Sequence, residues 1–519
     1  ILTLTVDQGD LTLAGNLAAG GIMFNLADSS ASSVARDIII NDGVSVSALG
    51  AATLLATGDV QLSNISIGNG DLLIVADGNV LDNSLAETSN ISMGSGELTI
   101  EAATINLDLD VGNIKSLTST ETDMASTPIN INSLNANTNL DAIFTTGKAI
   151  FQQSQGNLNL TGTIFVDDLD MDVLAGSLSQ TEGATLTVTN GINMTSSGGM
   201  ALSSIASQDG SIALIVGGAL VDASSTRESA IITTNNTDAT VSLQASSIGT
   251  DSEIGEIEVK SNHIASVLAT TGGAYIEVML TSDLGVATAM GDVVITQSRG
   301  DLTITDQVLS TDGAVTITAD GNLQMASASS LTARDGVNLT AEDGDLGLTA
   351  VTVTGSGTKT AISSFEATGD ILDVNPWVDG PSLSSVDGWN INAKGILSLS
   401  ANNIGQSGER LNVRSDNLSS ISAEGQVYLA ASGIGSGQVK LAAVSATSGL
   451  FDVKMLADDL LLTGLVEADT VRINVDNGSL TLESSIRVVA YHDMALIAHG
   501  DVSLSSIQTG DGMITIDAN

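Results

Sequence analysis

Cysteine is absent from the 519 residues, and with it go disulfides, thiolate nucleophiles and thiolate metal sites. Proline is almost absent too, at 3 residues, so few positions lack the backbone N–H that a β-ladder needs. Aromatics make up 2% of the chain against 42% hydrophobic residues, leaving Ile, Leu, Val and Ala as the apolar material. Such side chains suit a narrow core built in thin layers, where a Phe or Trp is expected to be too thick. Basic charge is scarce: 15 Lys and Arg stand against 60 Asp and Glu, a formal net charge of -45. Nucleic acid is thereby excluded as a partner and anionic membrane surfaces are disfavoured, since both are bound through Lys and Arg. No apolar run approaches the roughly 18 residues of a membrane span, so no direct insertion of this segment is expected. Acidic disordered chains lack apolar content, and this chain does not.

What the chain has is repetition. Gly58 to Asp77 (GDVQLSNISIGNGDLLIVAD) and Gly500 to Asn519 (GDVSLSSIQTGDGMITIDAN) align without a gap and share about half their residues. Asn64 to Ile74 (NISIGNGDLLI) returns as Asn90 to Ile100 (NISMGSGELTI). A supersecondary unit copied in this way cannot bury its own apolar face, so the copies must stack.

The clearest register runs from Gly300 to Ala350. Leu302 and Ile304, Val315 and Ile317, Leu323 and Met325, Val337 and Leu339, and Leu346 and Leu348 alternate with Thr, Gln and Asn, a period of two that predicts strands. Gly-Asp or Gly-Asn opens one strand class at Gly300, Gly321 and Gly344, and Asp-Gly opens another at Gly313 and Gly336. The spacing predicts an all-β chain, a right-handed parallel β-helix or β-solenoid of roughly 20–25 residues per coil. Glycine at these corners is expected to supply positive φ. The whole of 1–519 reads as one continuous solenoid, a segment of a longer polypeptide since neither end carries a polar cap, and ~4.8 Å per coil would make it on the order of 100–120 Å long. Regularity weakens at 222–263, where both charge signs gather, and at 370–394, where Pro376, Pro381, Trp377 and Trp389 predict a loop excursion.

Candidate chemistry is sparse. Asp168, Asp170 and Asp172 alternate with apolar residues and would share one outward face, a density of oxygen that could hold Ca²⁺, though a solvated acidic strand explains them as well. Glu253, Glu256 and Glu258 beside His263 offer the paired carboxylates a glycosidase needs, without the aromatic and cationic groups of a sugar cleft. His263, His492 and His499 have no metal spacing, and no P-loop, dinucleotide fingerprint or nucleophile elbow occurs. Thr-x-Thr pairs, as at Thr316 and Thr318, suggest an ice-binding array but are interrupted by Asn, Gln and Ser. Trp377 and Trp389 are the residues singled out for partner binding, since aromatics on a loop carried by a rigid scaffold often make contacts, though a loop that packs its own Trp residues against the flank of the rod explains them as well.

The Gly-Asp/Asn punctuation followed by a short aliphatic strand, at Gly300, Gly321 and Gly344 and less completely at Gly58 and Gly500, resembles the filamentous haemagglutinin-like adhesins exported by bacteria. The resemblance covers nearly the whole chain. It implies an extracellular or cell-surface bacterial protein serving adhesion, cell contact or matrix formation, with partners among other copies of itself or cell-surface proteins and glycans. It carries over no individual functional residue. The expectation is therefore a structural and adhesive fibrous segment, not an enzyme, needing no cofactor unless Ca²⁺ bridges its carboxylates. The alternative is a carbohydrate-binding or carbohydrate-cleaving β-helix.

Overall fold

The computed structural model describes residues 1–26, 34–85, 88–121, 127–225, 231–252, 255–355, 360–375, 388–435 and 437–518. It is all-β, with no helix among the described residues and with parallel strands stacked into a β-solenoid of about 22 turns. The chain divides into two compact units, Ile1–Ser261 and Asn262–Asn519.

Each unit builds its coils from three short strands. In the first, Leu72–Ala76 pairs in parallel with Ala52–Ala56 below and Leu98–Ala102 above, Val80–Asp82 pairs with Val60–Leu62, and Ile91–Met93 pairs with Asn64–Ile67. In the second, Ala314–Ala319 lies between Val293–Gln297 and Gly336–Ala341, while Leu323–Met325 lies above Leu302–Ile304 and Val351–Val353 above Ser330–Ala333. Alternation then decides what is buried. Ile295, Ile317, Leu339, Phe365, Leu399 and Ile421 occupy matching positions on successive coils, each at most 1% exposed. Their outward neighbours, Val294, Thr316, Asn338 and Ser364, form a mixed row and not a threonine array.

Two expectations are corrected. Phenylalanine is not excluded from the layers: Phe24, Phe151, Phe365 and Phe451 are among the largest fully buried side chains, because a ring is thin enough in one dimension to lie within a ~4.8 Å layer. The corner glycines are not mainly left-handed. Of the five named above, Gly300 and Gly336 have positive φ, at +87° and +151°. Gly321, Gly344 and Gly313 are required by space: a Cβ at Gly321 would lie 2.8 Å from the Gly300 carbonyl of the coil beneath and would also meet Asp301 Oδ1.

That collision identifies the device that holds the corners. Asp301 Oδ1 accepts the Asn322 N–H at 2.7 Å, Asn322 Oδ1 accepts Asp345 N–H at 2.8 Å, Asp345 Oδ1 accepts Asp370 N–H at 2.8 Å, Asp370 Oδ1 accepts Asn403 N–H at 3.0 Å, and Asn403 Oδ1 accepts Gln426 N–H at 2.8 Å. Successive rungs are 21, 23, 25, 33 and 23 residues apart, so every rung is one coil. In the first unit Asp10, Asp37, Asp59 and Asn79 form the same ladder. Backbone N–H groups at the corners, which the strand ladders leave without a partner, are thereby satisfied by an Asp or Asn of the coil beneath, which follows a glycine in most rungs and follows Arg36 at Asp37 and Asn402 at Asn403.

Both units also relocate their corners in the same way. A bulge between Leu98 and Thr99 admits Lys115 as an extra residue, and the sheet continues through Asn157–Val166, which pairs onward with two separate strands, Leu178–Gln180 and Thr185–Val188. The second unit has its bulge between Leu397 and Ser398, with Ser419 as the extra residue, and Asn417–Ala423 likewise pairs onward with Gln438–Leu441 and Val444–Met455. Lys115 Nζ lies 2.8 Å from Asp141 on the next coil, and that hydrogen-bonded carboxylate holds the ammonium above its ordinary pKa.

Candidate functional site

At three points a short strand ends in Asp and the chain leaves the coil. Asp82, Asp222 and Asp373 each accept through Oδ1 the backbone N–H two residues on, from Ser84 at 2.7 Å, Ser224 at 2.5 Å and Asn375 at 2.8 Å. This turn is a familiar use of a short acidic side chain. Two of the excursions are closed at their base by an asparagine. Asn90 Nδ2 donates to Asp82 Oδ1 at 2.5 Å and to the Leu62 carbonyl at 3.3 Å, and its Oδ1 accepts the Asp108 N–H at 2.8 Å. Asn390 repeats this in the second unit, with 2.7 Å to Asp373, 3.2 Å to the Leu348 carbonyl and 2.8 Å from the Asn412 N–H. At the third excursion Ile231 stands at that position and keeps only the backbone half, donating to the Glu258 carbonyl at 3.1 Å.

Asp373 is the acid of the clasp in the second unit. Burial pushes its pKa above the ordinary Asp range, against the opposing hydrogen bonds from Asn390, the Asn375 N–H and Asn412. The negative charge of Glu409 adds to the rise.

Beside this clasp lies a cavity of about 350 Å³. Its described lining includes Ser330, Thr352 and Asn392 from three successive coils, with Asn375, Asn390 and Trp389 at the excursion's base. None of the described side chains that line it is ionisable. Asn375 Nδ2 reaches the Ser327 carbonyl at 2.7 Å and ties the departing chain to the solenoid.

The residues singled out from sequence fare differently. Trp389 is on the cavity wall and buried at 4% exposure, so it packs against the solenoid and does not protrude. Trp377, Pro376 and Pro381 lie outside the described residues, as does Glu253. Asp168, Asp170 and Asp172 do share one half-buried face, but each faces a different partner: the Gly191 N–H at 3.0 Å, Lys148 Nζ, and the Thr195 hydroxyl. Among the described residues no group of three or more metal-binding side chains converges. We expect millimolar Ca²⁺ to raise the melting temperature no more than Mg²⁺ does; a Ca²⁺-specific rise that disappears in Asp168→Asn/Asp170→Asn would reinstate these carboxylates as ligands.

Glu258 is fully buried in the strand Ile257–Lys260, while Glu256 is half-buried. His263 lies 3.3 Å from Asp283. His492 Nδ1 is 2.7 Å from Asp469 and its Nε2 is 3.8 Å from Asp511, one carboxylate on the coil below and one on the coil above. Its hydrogen bond to Asp469 and the surrounding negative charge raise its pKa. The ion pairs hold while the ring is protonated, so they are complete below the ordinary value near 6.5 and are lost as pH rises through the raised one. An NMR titration should find His492 titrating above that ordinary value, and Asp469→Asn should bring it down.

One charged cluster left no mark in the sequence pattern. Asp452, 3% exposed, receives Arg410 Nη2 at 2.9 Å and Arg472 Nη1 at 3.3 Å. Arg410 also donates to the Asp452 and Leu429 carbonyls, at 2.9 and 3.3 Å. Two guanidinium groups thus share one buried carboxylate, Arg472 reaching it from an exposed position. Comparison with protein-family models, with curated proteins and with solved structures found no match for this chain.

Proposed function

We propose that the chain is a structural and adhesive fibrous segment of a large secreted or cell-surface bacterial protein, serving cell contact, adhesion or filament formation. Its partners on this reading are other copies of itself or cell-surface proteins and glycans, and no catalytic step or cofactor is assigned to it. The observation that supports the reading is the use made of its polar side chains. The corner Asp and Asn residues, which in an enzyme would converge on a substrate, are instead occupied rung by rung in joining one coil to the next. A body so joined resists local opening, and the net charge of -45 keeps neighbouring copies apart unless a specific surface or a cation bridges them.

Two measurements test it. Beads coated with the purified chain should adhere to cells or to one another, and negative-stain images should show elongated particles. Turnover of a polysaccharide by the purified chain, abolished by Glu256→Gln, would replace this reading with the enzymatic one.

A further inference from the structure

We infer that the cavity beside the Asp373–Asn390 clasp is a binding site for a neutral saccharide. The argument starts from which of its polar groups are already engaged. Ser329 Oγ donates to the Ala326 carbonyl at 2.8 Å and Thr349 Oγ1 to the Ser329 carbonyl at 2.9 Å, while Asn390 is fully used in the clasp. No hydrogen bond among the described residues engages the side chains of Ser330, Thr352 or Asn392. Thr352 and Asn392 stand in register on adjacent coils and Thr352 in register above Thr332, so they present donors and acceptors at the coil spacing of ~4.8 Å.

The lining selects the ligand by elimination. With no ionisable side chain among the described lining residues, a phosphate, carboxylate or ammonium group would enter without a counter-charge and lose its hydration. A purely apolar ligand would leave the Ser330 and Thr352 hydroxyls and the Asn392 amide covered and unpaired. A peptide binding as an added strand needs a free sheet edge, and Ser330–Ala333, Val351–Val353 and Ile391–Ala393 are already paired in their ladders. A sugar satisfies all three conditions. Its hydroxyls pair with hydroxyl and amide side chains, Trp389 in the wall lies close enough to report its arrival, and about 350 Å³ is at the small end of ligand cavities, suited to one or two rings.

This site gives the proposed contact role a glycan partner, yet its test does not depend on adhesion. The full chain is applied to an array of immobilised neutral, uronic-acid and peptide probes, and neutral hits are titrated against the Trp377→Phe variant, in which Trp389 is the remaining indole of the 2 in the chain. We expect a saturable change in Trp389 emission with a neutral oligosaccharide, weakened at least about tenfold in Thr352→Val/Asn392→Leu. Both changes lie on the outer face, so the melting temperature should stay as it was; the single Thr352→Val, nearly isosteric, serves if the pair disturbs folding. Absence of any neutral hit at millimolar concentration overturns the site, as does undiminished binding by the variants or selection of uronic-acid or peptide probes instead. Adhesion of coated beads without saccharide binding would remove this site and leave the scaffold reading standing.

Discussion

Phe365→Ala should lower stability by about 3–5 kcal/mol, the usual cost of truncating a fully buried phenyl ring. Phe365 is 0% exposed and lies in register between Leu339 on one coil and Leu399 on the next. In a stacked array each coil is held only by its neighbours, so the vacancy weakens two interfaces at once and cannot be refilled from elsewhere. Denaturant unfolding should show the loss, and limited proteolysis of the variant should begin near this coil. Phe144→Ala is the control. Phe144 is 40% exposed on an outward position, so its truncation should change stability by less than about 1 kcal/mol. Equal effects at the two positions would mean that the aliphatic interior is not what holds the coils.

The second large effect concerns the corner ladder. Asp345 accepts the Asp370 N–H through Oδ1, and a leucine there would leave that half-buried donor without its partner, at about 1–3 kcal/mol. Asp345→Asn keeps an oxygen in the same place and should be close to neutral, as Asn322 and Asn403 already fill equivalent rungs. Gly369→Val should be worse than Asp345→Leu. A Cβ at Gly369 would overlap Asp345 Oδ1 and lie 2.8 Å from the Gly344 carbonyl, both held in the coil beneath, so the two coils must separate locally. Thermal melts of the three variants should therefore rank Asp345→Asn highest and Gly369→Val lowest. A Gly369→Val protein as stable as the parent would show that the coils are not packed at the distance described.

The Gly-Asp/Asn pairs illustrate how far the sequence could be read. Their recurrence announced a repeat and placed its corners, but the reason for the glycine was misjudged. Positive φ is a property of one residue, whereas the actual requirement at Gly321 and Gly369 is the approach of another coil, about twenty residues away in sequence and adjacent only after stacking. The excursions show the same divide. VLDNS at Val80 to Ser84 and ILDVN at Ile371 to Asn375 would have marked two of them as the same turn, had the returning Asn90 and Asn390 been compared. The bulges were legible in principle as well, since NIKSL at Asn113 and NLSSI at Asn417 carry the same extra residue.

The cavity had no such signal. Ser330, Thr352 and Asn392 are ordinary outward strand residues, spaced irregularly because an excursion intervenes, and each taken alone looks like solvated surface. Trp389 was noticed for its bulk and weighed both as a partner contact and as a side chain packed against the rod, and the structure has it buried.

Period-two alternation and recurrent glycine corners sufficed for the fold class, because they are local: each strand's neighbours along the chain decide which face is apolar, and stacking follows from the need to cover that face. Which side chains meet across coils was decided only by the tertiary structure. Register between coils depends on the length of every intervening turn and excursion, and it is register that turned separate Asp and Asn residues into ladders and gathered Ser330, Thr352, Asn392 and Trp389 around one cavity.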